Sequence, residues 1–336
     1  MKKKMWTLLL CMTLVLTALA GCGQSDNAQG GSEPSSGGNQ GQSASDYPSQ
    51  TIEIYVPANP GGQTDASARV IAEHMKKYLG GDIVVINQAA GGGTVAFETV
   101  KNAKPDGYKL LYFHQALHTA RAAKKMDDDT RSLRAIGIFS AVDEALVVSA
   151  KAPWNNLKDF VEDAKNNPGK LKFGAELGGT THFMGGMLAQ AAGIELQILD
   201  VGSESDRVTA LLGGQIDMAV TSVSNALNYL KSGDFKILAV ISEERSTVAP
   251  EIPTAKEQGY DVVFPIVHTL YGPKDLPDSI VEAWNKATIE LAKDPAYNEA
   301  LKKIGQFHVL KNGKEAEEFS NSELDKILQL GQKLGF

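Results

Sequence analysis

Cysteine is scarce in this chain, with two among 336 residues. Cys11 lies within an apolar run at residues 8–20, and Cys22 follows that run after Gly21. The run is shorter than the roughly 20 apolar residues that a helix needs to cross a bilayer. With the lysines of residues 2–4 before it, the run predicts a signal peptide over residues 1–21 and therefore an exported chain. Only Cys22 would then remain, which excludes a disulfide within the mature chain.

The residues from 19 to 46 predict a membrane anchor on a tether. Leu19-Ala20-Gly21-Cys22 resembles a bacterial lipobox, in which the cysteine is diacylated and becomes the first mature residue. Residues 22–46 hold no apolar cluster that could form a core, so we expect a flexible linker with a reach of about 25–30 Å. The predicted location is the outer face of the cell membrane or the periplasm, through a lipid on Cys22.

Positive charge is also in short supply. The whole chain has 33 basic and 40 acidic residues, and removing residues 1–21 takes away three lysines and no acid, which leaves 30 minus 40, or −10. An acidic protein repels nucleic acid and anionic membrane surfaces, so we expect neither as a partner. An anionic ligand would have to be held by local donors.

Several catalytic motifs are missing. The chain has no G-x-S-x-G, no Walker A pattern and no H-E-x-x-H. Gly91 to Ala96 fits G-x-G-x-x-A, but no acidic residue follows the next strand at Phe113 to hold a ribose. His114 and His118, four residues apart, leave a metal-capture lipoprotein open as an alternative, although no third ligand stands at a recognisable spacing. A secreted hydrolase-like enzyme is the other alternative, and we expect no cofactor and no resident metal.

Short β-branched runs alternate with helical periodicity after residue 46, which is typical of α/β domains with parallel strands. Four or five of these strands end in glycine and hydroxyl residues immediately before a helix. Parallel strands bring such junctions to one edge of a sheet, where helix N-termini offer N–H donors to an anion. The junctions are Pro60–Asp65, Gly91–Thr94, Gly178–His182, Asp200–Ser203 and Thr221–Ser224.

Two residues at these junctions have two interpretations each. Asp65 could accept a hydrogen bond from a ligand or orient its own loop, because an acidic residue in the first turn of a helix is ordinary capping chemistry. His182 could donate to a ligand or be structural. For His268, we expect a buried structural role.

An ordered series of motifs resembles the receptors of tripartite tricarboxylate transporters, often called Bug-type receptors. The resemblance covers nearly all of residues 47–336, and its most specific stretch is Lys104–Leu111. The other matching stretches are Pro60–Arg69, Gly91–Thr94, Pro168–Leu171, Gly178–His182, Leu212–Asp217 and Ile252–Gly259.

The resemblance implies a two-lobe Venus-flytrap fold of type II, with a mostly parallel sheet flanked by helices in each lobe. Lobe I would comprise residues 47–147 plus 243–336 and lobe II residues 148–242, with crossovers at residues 145–148 and 237–241. It further implies a monomer that passes a small carboxylate to integral-membrane transporter subunits without catalysis.

The same resemblance assigns the ligand cleft. We expect its wall to be formed by residues of both lobes, and these are Gly61, Gly62, Thr64, Asp65, Gly179, Thr180, Thr181, His182, Ser203, Thr221 and Ser222. To these we add His114, which lies beside the expected cleft at a position where such receptors often have a small residue. None of the candidate loops contains an arginine, so a carboxylate would be held by N–H groups and hydroxyls.

Overall fold

The computed structural model describes residues Tyr47–Phe336. The predicted signal peptide, the lipidation site Cys22 and the linker all lie outside this range. Within residues 47–336 there is no helix both long enough and apolar enough to cross a bilayer.

Eleven strands are present in the described part of the chain. They are β1 Ile52–Val56, β2 Ile83–Asn87, β3 Lys109–Phe113, β4 Leu133–Val142, β5 Glu144–Ser149, β6 Lys172–Ala175, β7 Gln197–Asp200, β8 Met218–Ser222, β9 Phe235–Val240, β10 Ile266–Pro273 and β11 Phe307–Lys311.

Ten α-helices connect or flank these strands within the same residues. They are α1 Gln63–Leu79, α2 Thr94–Lys101, α3 Ala116–Ala122, α4 Leu157–Asn166, α5 Thr180–Ala192, α6 Glu204–Leu212, α7 Val223–Ser232, α8 Asp278–Ala292, α9 Pro295–Lys303 and α10 Gly313–Lys333.

The strands form two sheets, ordered β11-β4-β10-β3-β1-β2 and β7-β6-β8-β5-β9. We call the six-stranded sheet with its helices lobe I and the five-stranded sheet with its helices lobe II. Strands β1, β2 and β3 pair in parallel in lobe I, as do β6, β7 and β8 in lobe II. The remaining pairs are antiparallel, so both sheets are mixed rather than mostly parallel.

The antiparallel strands include those that carry the chain between lobes. The chain leaves the lobe I sheet at the end of β4, passes Asp143 and enters the lobe II sheet with β5; it returns between β9 and β10. A strand that enters a sheet directly from the neighbouring lobe has no crossover helix, so it need not run parallel. The predicted residue limits of the lobes stay a prediction.

Each sheet is covered on both faces. In lobe I one apolar cluster joins the sheet to α1, α8 and α9, with Trp284 fully buried, and another includes Phe97 of α2 and Ala316 of α10. In lobe II one cluster includes Phe160 of α4 and Phe183 of α5, and another includes residues of α6 and α7. This layering brings the starts of α1, α5, α6 and α7 to the carboxyl ends of their sheets, as the junction pattern predicts.

Candidate functional site

One buried carboxylate fixes the loop between β1 and α1. The backbone of Gly61 is left-handed, with φ +83°, and its N–H donates to Asp65 Oδ2 at 2.8 Å. Arg69 Nε donates to the same oxygen at 3.0 Å. Asn87 Nδ2 donates to Oδ1 at 2.8 Å, and Arg69 Nη2 lies 3.0 Å from Oδ1.

These four contacts occupy the carboxylate of Asp65. Burial raises its pKa, but the hydrogen bonds from Arg69, Gly61 and Asn87 lower it by more, so the pKa lies below its ordinary value. Of the two roles predicted for Asp65, we therefore assign it the orientation of its own loop.

Thr64 faces the interior of lobe I. Its Oγ1 lies 3.3 Å from His268 Nε2, and Ser140 Oγ lies 3.2 Å from Nδ1 of that ring. The imidazole is also stacked on Tyr112 at 5.3 Å between centroids. Burial, reinforced by His114, lowers the pKa of His268 well below its ordinary value, so the ring is neutral. His268 has the buried structural role predicted for it.

His114 offers one donor at the end of β3. Its Nδ1 accepts the N–H of Ala116 at 3.2 Å, and burial lowers its pKa to about 4. A neutral ring that accepts at Nδ1 carries its proton on Nε2. No described residue hydrogen bonds to that Nε2, so its proton has no acceptor within residues 47–336.

At the start of α5, the polar side chains hydrogen bond mainly to the backbone of the same junction. Gly179 precedes the helix without a side-chain cap, Thr181 Oγ1 accepts the N–H of Glu176 at 2.9 Å, and His182 Nδ1 accepts the N–H of Gly178 at 3.0 Å. Burial and the nearby Lys125 lower the pKa of His182. The Thr180 hydroxyl has no hydrogen bond to any residue of the described chain, which makes it the freest side chain of this junction.

The starts of α6 and α7 are joined by Glu204. Ser203 caps α6 through a reciprocal pair with Asp206 and is exposed. Glu204 Oε1 accepts from the Thr221 hydroxyl, from Asn225 Nδ2 at 2.9 Å and from the N–H of Ser222 at 3.3 Å. The hydroxyl of Thr221 is therefore engaged within lobe II.

A direct hydrogen bond joins the two lobes at these helix starts. Gln63 Nε2, in the first turn of α1, donates to Ser222 Oγ at 2.9 Å. Gln306 Nε2, which follows α9, in turn donates to the carbonyl of Gln63 at 3.0 Å. The structure thus brings the predicted residues of α1 next to Ser222, and Gln63 is a contact residue that the sequence did not single out.

The α5 junction has other neighbours. Lys125 Nζ, after α3, donates to the carbonyl of Leu177 at 2.5 Å, and the ring of His182 lies 5.0 Å from that of Phe336. Within residues 47–336, no hydrogen bond or ring contact joins the predicted residues 179–182 to the Gln63–Ser222 bridge. Lobe I and the C-terminus therefore border this junction at a separate place.

Charged residues that were not predicted for the site lie beside Ser222. Glu144 is paired with Ser222 in the register of β5 and β8, and it interacts electrostatically with Glu204 and Arg207. Arg207 is 7% exposed. None of the predicted loops contains an arginine. Arg207 lies one turn of α6 after Ser203, however, and its side chain is buried. The sequence signal that could have singled out Glu144 is its position as an acidic residue at the start of an apolar strand.

His118 lies apart from these junctions. Its Nε2 is 3.2 Å from Thr130 Oγ1 and 3.3 Å from Ser320 Oγ, and burial lowers its pKa to about 3. Nowhere in residues 47–336 do three His, Cys, Asp or Glu side chains gather closely enough to hold a metal ion.

A cavity of about 610 Å³ lies between α5, α10 and the segment at residues 261–265. None of the predicted ligand residues lines it. It is a feature of the lobe boundary away from the helix starts.

Comparisons with known proteins agree with this architecture. The family model for the tripartite tricarboxylate transporter family receptor matches residues 67–336. A UPF0065 protein of Agrobacterium vitis is 31% identical over 272 residues, which cover 79% of this chain and 78% of that protein.

Two solved structures have the same fold. The periplasmic binding protein BugD has a TM-score of 0.72 and 29% identity, with 86% of this chain and 99% of that chain covered. MatC of Rhodopseudomonas palustris, with bound malate, has a TM-score of 0.71 and 24% identity, with 85% and 100% covered. At that identity the likeness to MatC concerns the fold alone.

Proposed function

Since the chain belongs to the tripartite tricarboxylate transporter family of receptors, we propose that it captures a small organic carboxylate in the cleft between its lobes. The family and fold are those of substrate-binding receptors, which are not enzymes. The receptor would then deliver the carboxylate to integral-membrane transporter subunits and work as a monomer.

The observation that carries the proposal is the meeting of helix starts from two different sheets. Gln63 of α1 and Ser222 before α7 are joined across the cleft at 2.9 Å. The residues that precede α1 and α5 are glycines, Gly62 and Gly179, so neither helix has a side-chain cap at its N-terminus. First-turn N–H groups and the positive end of the helix dipole suit a carboxylate.

The freest polar groups beside these helix starts supply further donors. They are the Thr180 hydroxyl and Nε2 of His114, which have no hydrogen-bond partner among residues 47–336. MatC, a protein of the same fold, holds malate, so a dicarboxylate suits such a cleft. For this chain the carboxylate class remains our proposal.

The anchor and the location rest on the leader sequence. A diacyl group on Cys22 and the linker of residues 22–46 would hold the receptor at the outer face of the membrane. Mass spectrometry of the membrane-extracted protein should find the lipid on an N-terminal Cys22, and Cys22→Ala should release the chain from the membrane fraction.

Thermal unfolding with a ligand panel tests the binding function. The panel contains citrate, malate, succinate, glutamate, nicotinate, aromatic acids, phosphate and Zn²⁺, added to the chain from Tyr47 onward. A carboxylate at 100 times its Kd should stabilise the fold by about 2.7 kcal/mol and raise the Tm visibly. A shift with Zn²⁺ alone would favour the metal-capture alternative and reject the carboxylate.

A further inference from the structure

Three charged side chains of lobe II stand together at the edge of the cleft. Glu144 opens β5 opposite Ser222, Glu204 opens α6, and Arg207 follows one turn later. We call these three residues the lobe II charge group. Ser222 belongs to the bridge to Gln63, so the group borders the meeting point of the two lobes.

Arg207 is buried without an ion pair. It is 7% exposed, and its Nη1 donates to the carbonyl of Gly202 at 2.6 Å. Its Nε has no hydrogen-bond partner in the described chain. Glu144 and then Glu204 are the charges that act on it most strongly, yet none of the salt bridges within residues 47–336 joins either carboxylate to Arg207. A buried guanidinium normally has a paired anion, because its desolvation is costly.

The two carboxylates keep oxygens without donors. All three donors to Glu204 reach its Oε1, and its Oε2 has none among the described residues. Neither carboxylate oxygen of Glu144 accepts a hydrogen bond within the same part of the chain. Burial, and after it the neighbouring Glu204, raises the pKa of Glu144 well above its ordinary value. A positive group placed between these carboxylates would relieve their repulsion.

A ligand at this wall would therefore meet charges of both signs. A carboxylate without a positive group would meet the repulsion of Glu144 and Glu204 at this wall. A bare metal ion is a poor candidate, because no group of three ligating side chains exists in the described residues. An ammonium and a carboxylate attached to the same carbon would give Glu144 and Glu204 a donor and give Arg207 an acceptor.

We propose that the lobe II charge group selects a zwitterionic amino carboxylate, whose ammonium binds Glu144 and Glu204 and whose adjacent carboxylate binds Arg207. This inference rests on the proposed carboxylate-binding function and narrows its substrate class. A second carboxylate of the ligand, where present, would extend toward the starts of α1 and α5.

Isothermal titration calorimetry of the full mature chain tests this with matched ligand pairs. The pairs are succinate and aspartate, glutarate and glutamate, and adipate and 2-aminoadipate, whose members differ by one ammonium group. One charge-assisted hydrogen bond corresponds to about ten- to a hundredfold in affinity, so in at least one pair the amino acid should bind tighter by that factor. Equal binding, or tighter binding of the plain dicarboxylate, in every pair that binds would overturn the inference.

The variant Glu144→Gln separates charge from shape. It should lose most of the preference for the amino acid and bind the plain dicarboxylate at least as well as the parent chain. Glu162→Gln, an exposed change on α4 of the same lobe, is the matched control and should keep the preference. A Glu144→Gln protein that retained the full preference would overturn the inference.

The outcomes also distinguish this inference from the proposed function. Binding of dicarboxylates without preference for an ammonium overturns the inference and leaves the carboxylate receptor in place. Absence of binding by every member of both series overturns the inference, and the proposed function falls as well only if citrate, nicotinate and the aromatic acids also fail to raise the Tm. The ligand pairs probe the unchanged chain, so the test does not depend on a variant that folds.

Discussion

At the scale of single residues, neighbouring hydroxyls at the start of α5 have different surroundings. Thr181 Oγ1 accepts the N–H of Glu176 at 2.9 Å, whereas the Thr180 hydroxyl has no partner in the described chain. Replacement of each by valine removes one hydroxyl at nearly constant shape.

We expect Thr181→Val to lower the free energy of unfolding by about 0.5–1.5 kcal/mol, because it removes the acceptor of the half-buried hydrogen bond from the N–H of Glu176. Thr180→Val should change stability by less than about 0.5 kcal/mol and weaken carboxylate binding. Urea unfolding and calorimetry on both variants measure this, with each variant the control for the other. Unchanged affinity in Thr180→Val would remove that residue from the site.

Asp65 gives a second residue-scale prediction. An asparagine side chain at this position would present an amide N–H₂ to donors that now meet carboxylate oxygens, so Asp65→Asn should cost about 1–3 kcal/mol of stability. Asp82→Asn is the control, because the pair of Asp82 with Lys76 at 3.3 Å is exposed and contributes little.

The pH dependence of the Asp65 effect has a definite sign. The pKa of Asp65 is lowered in the folded chain, so its stabilisation is present above the pKa of the unfolded chain, about 3.9, and is lost as the pH falls through the lower folded value. The stability difference between Asp65→Asn and the parent chain should therefore shrink below about pH 4. A difference that stayed constant down to pH 2 would contradict this account.

At the scale of elements, the turn between α9 and β11 approaches the start of α7 from the other lobe. Gly305 has φ +71°, and a Cβ there would lie 2.0 Å from Ser224 Oγ. Both a left-handed backbone and a close contact across the lobes therefore require glycine at this position.

The variant Gly305→Ala should hold the lobes further apart and weaken ligand binding. Gly233→Ala is the matched control, because Gly233 has φ +80° and a Cβ added there would meet nothing within 4 Å. Both should lose about 1 kcal/mol of stability from backbone strain, whereas only Gly305→Ala should lose affinity in calorimetry and expand in small-angle scattering. Equal affinities in the two variants would show that the contact with Ser224 does not limit closure.

At the scale of the whole molecule, α10 joins the two lobes. Its first half packs on the lobe I sheet through Ala316, and its last turns place Ile327 and Leu330 in the lobe II cluster with Phe183. A single helix that contributes to both cores couples their stability and restrains how far the lobes can separate.

Two histidines with lowered pKa values give a prediction for the stability of the whole chain. The pKa of His114 is lowered to about 4 and that of His118 to about 3, both by burial. The unfolded chain binds these protons near pH 6.5, so the stabilisation is full above that pH and falls as the pH drops toward the folded values.

The free energy of unfolding should therefore decline between pH 7 and pH 5, above the range in which most carboxylates titrate. His118→Gln should reduce the slope, because one buried histidine no longer titrates. Urea unfolding at several pH values measures it. An unchanged slope in His118→Gln would show that its burial does not persist in solution.

Much of the fold followed from local patterns. Glycine and hydroxyl junctions precede α1, α5 and α7, as the sequence predicts. Local pattern could not reveal that β5 and β10 run antiparallel to their neighbours, because strand direction depends on how the chain crosses between lobes.

Single residues at the site were harder to predict, because their roles depend on distant partners. Sequence spacing placed Asp65 in the first turn of α1, but Asn87 and Arg69 decide that its carboxylate is occupied. Gln63 and Arg207 were missed, since nothing local marks a glutamine that reaches the other lobe or an arginine that turns inward.

The sequence by itself determined the alternation of strands and helices, the acidic balance and the ordered motifs that place the chain in its family. These are properties of neighbouring residues, and neighbouring residues are enough to specify them. The tertiary structure alone decided which donors and acceptors remain unpaired at the helix starts. That outcome depends on contacts such as Gln63 with Ser222 and on the burial of Arg207 beside Glu144, which arise only when the two lobes are packed together.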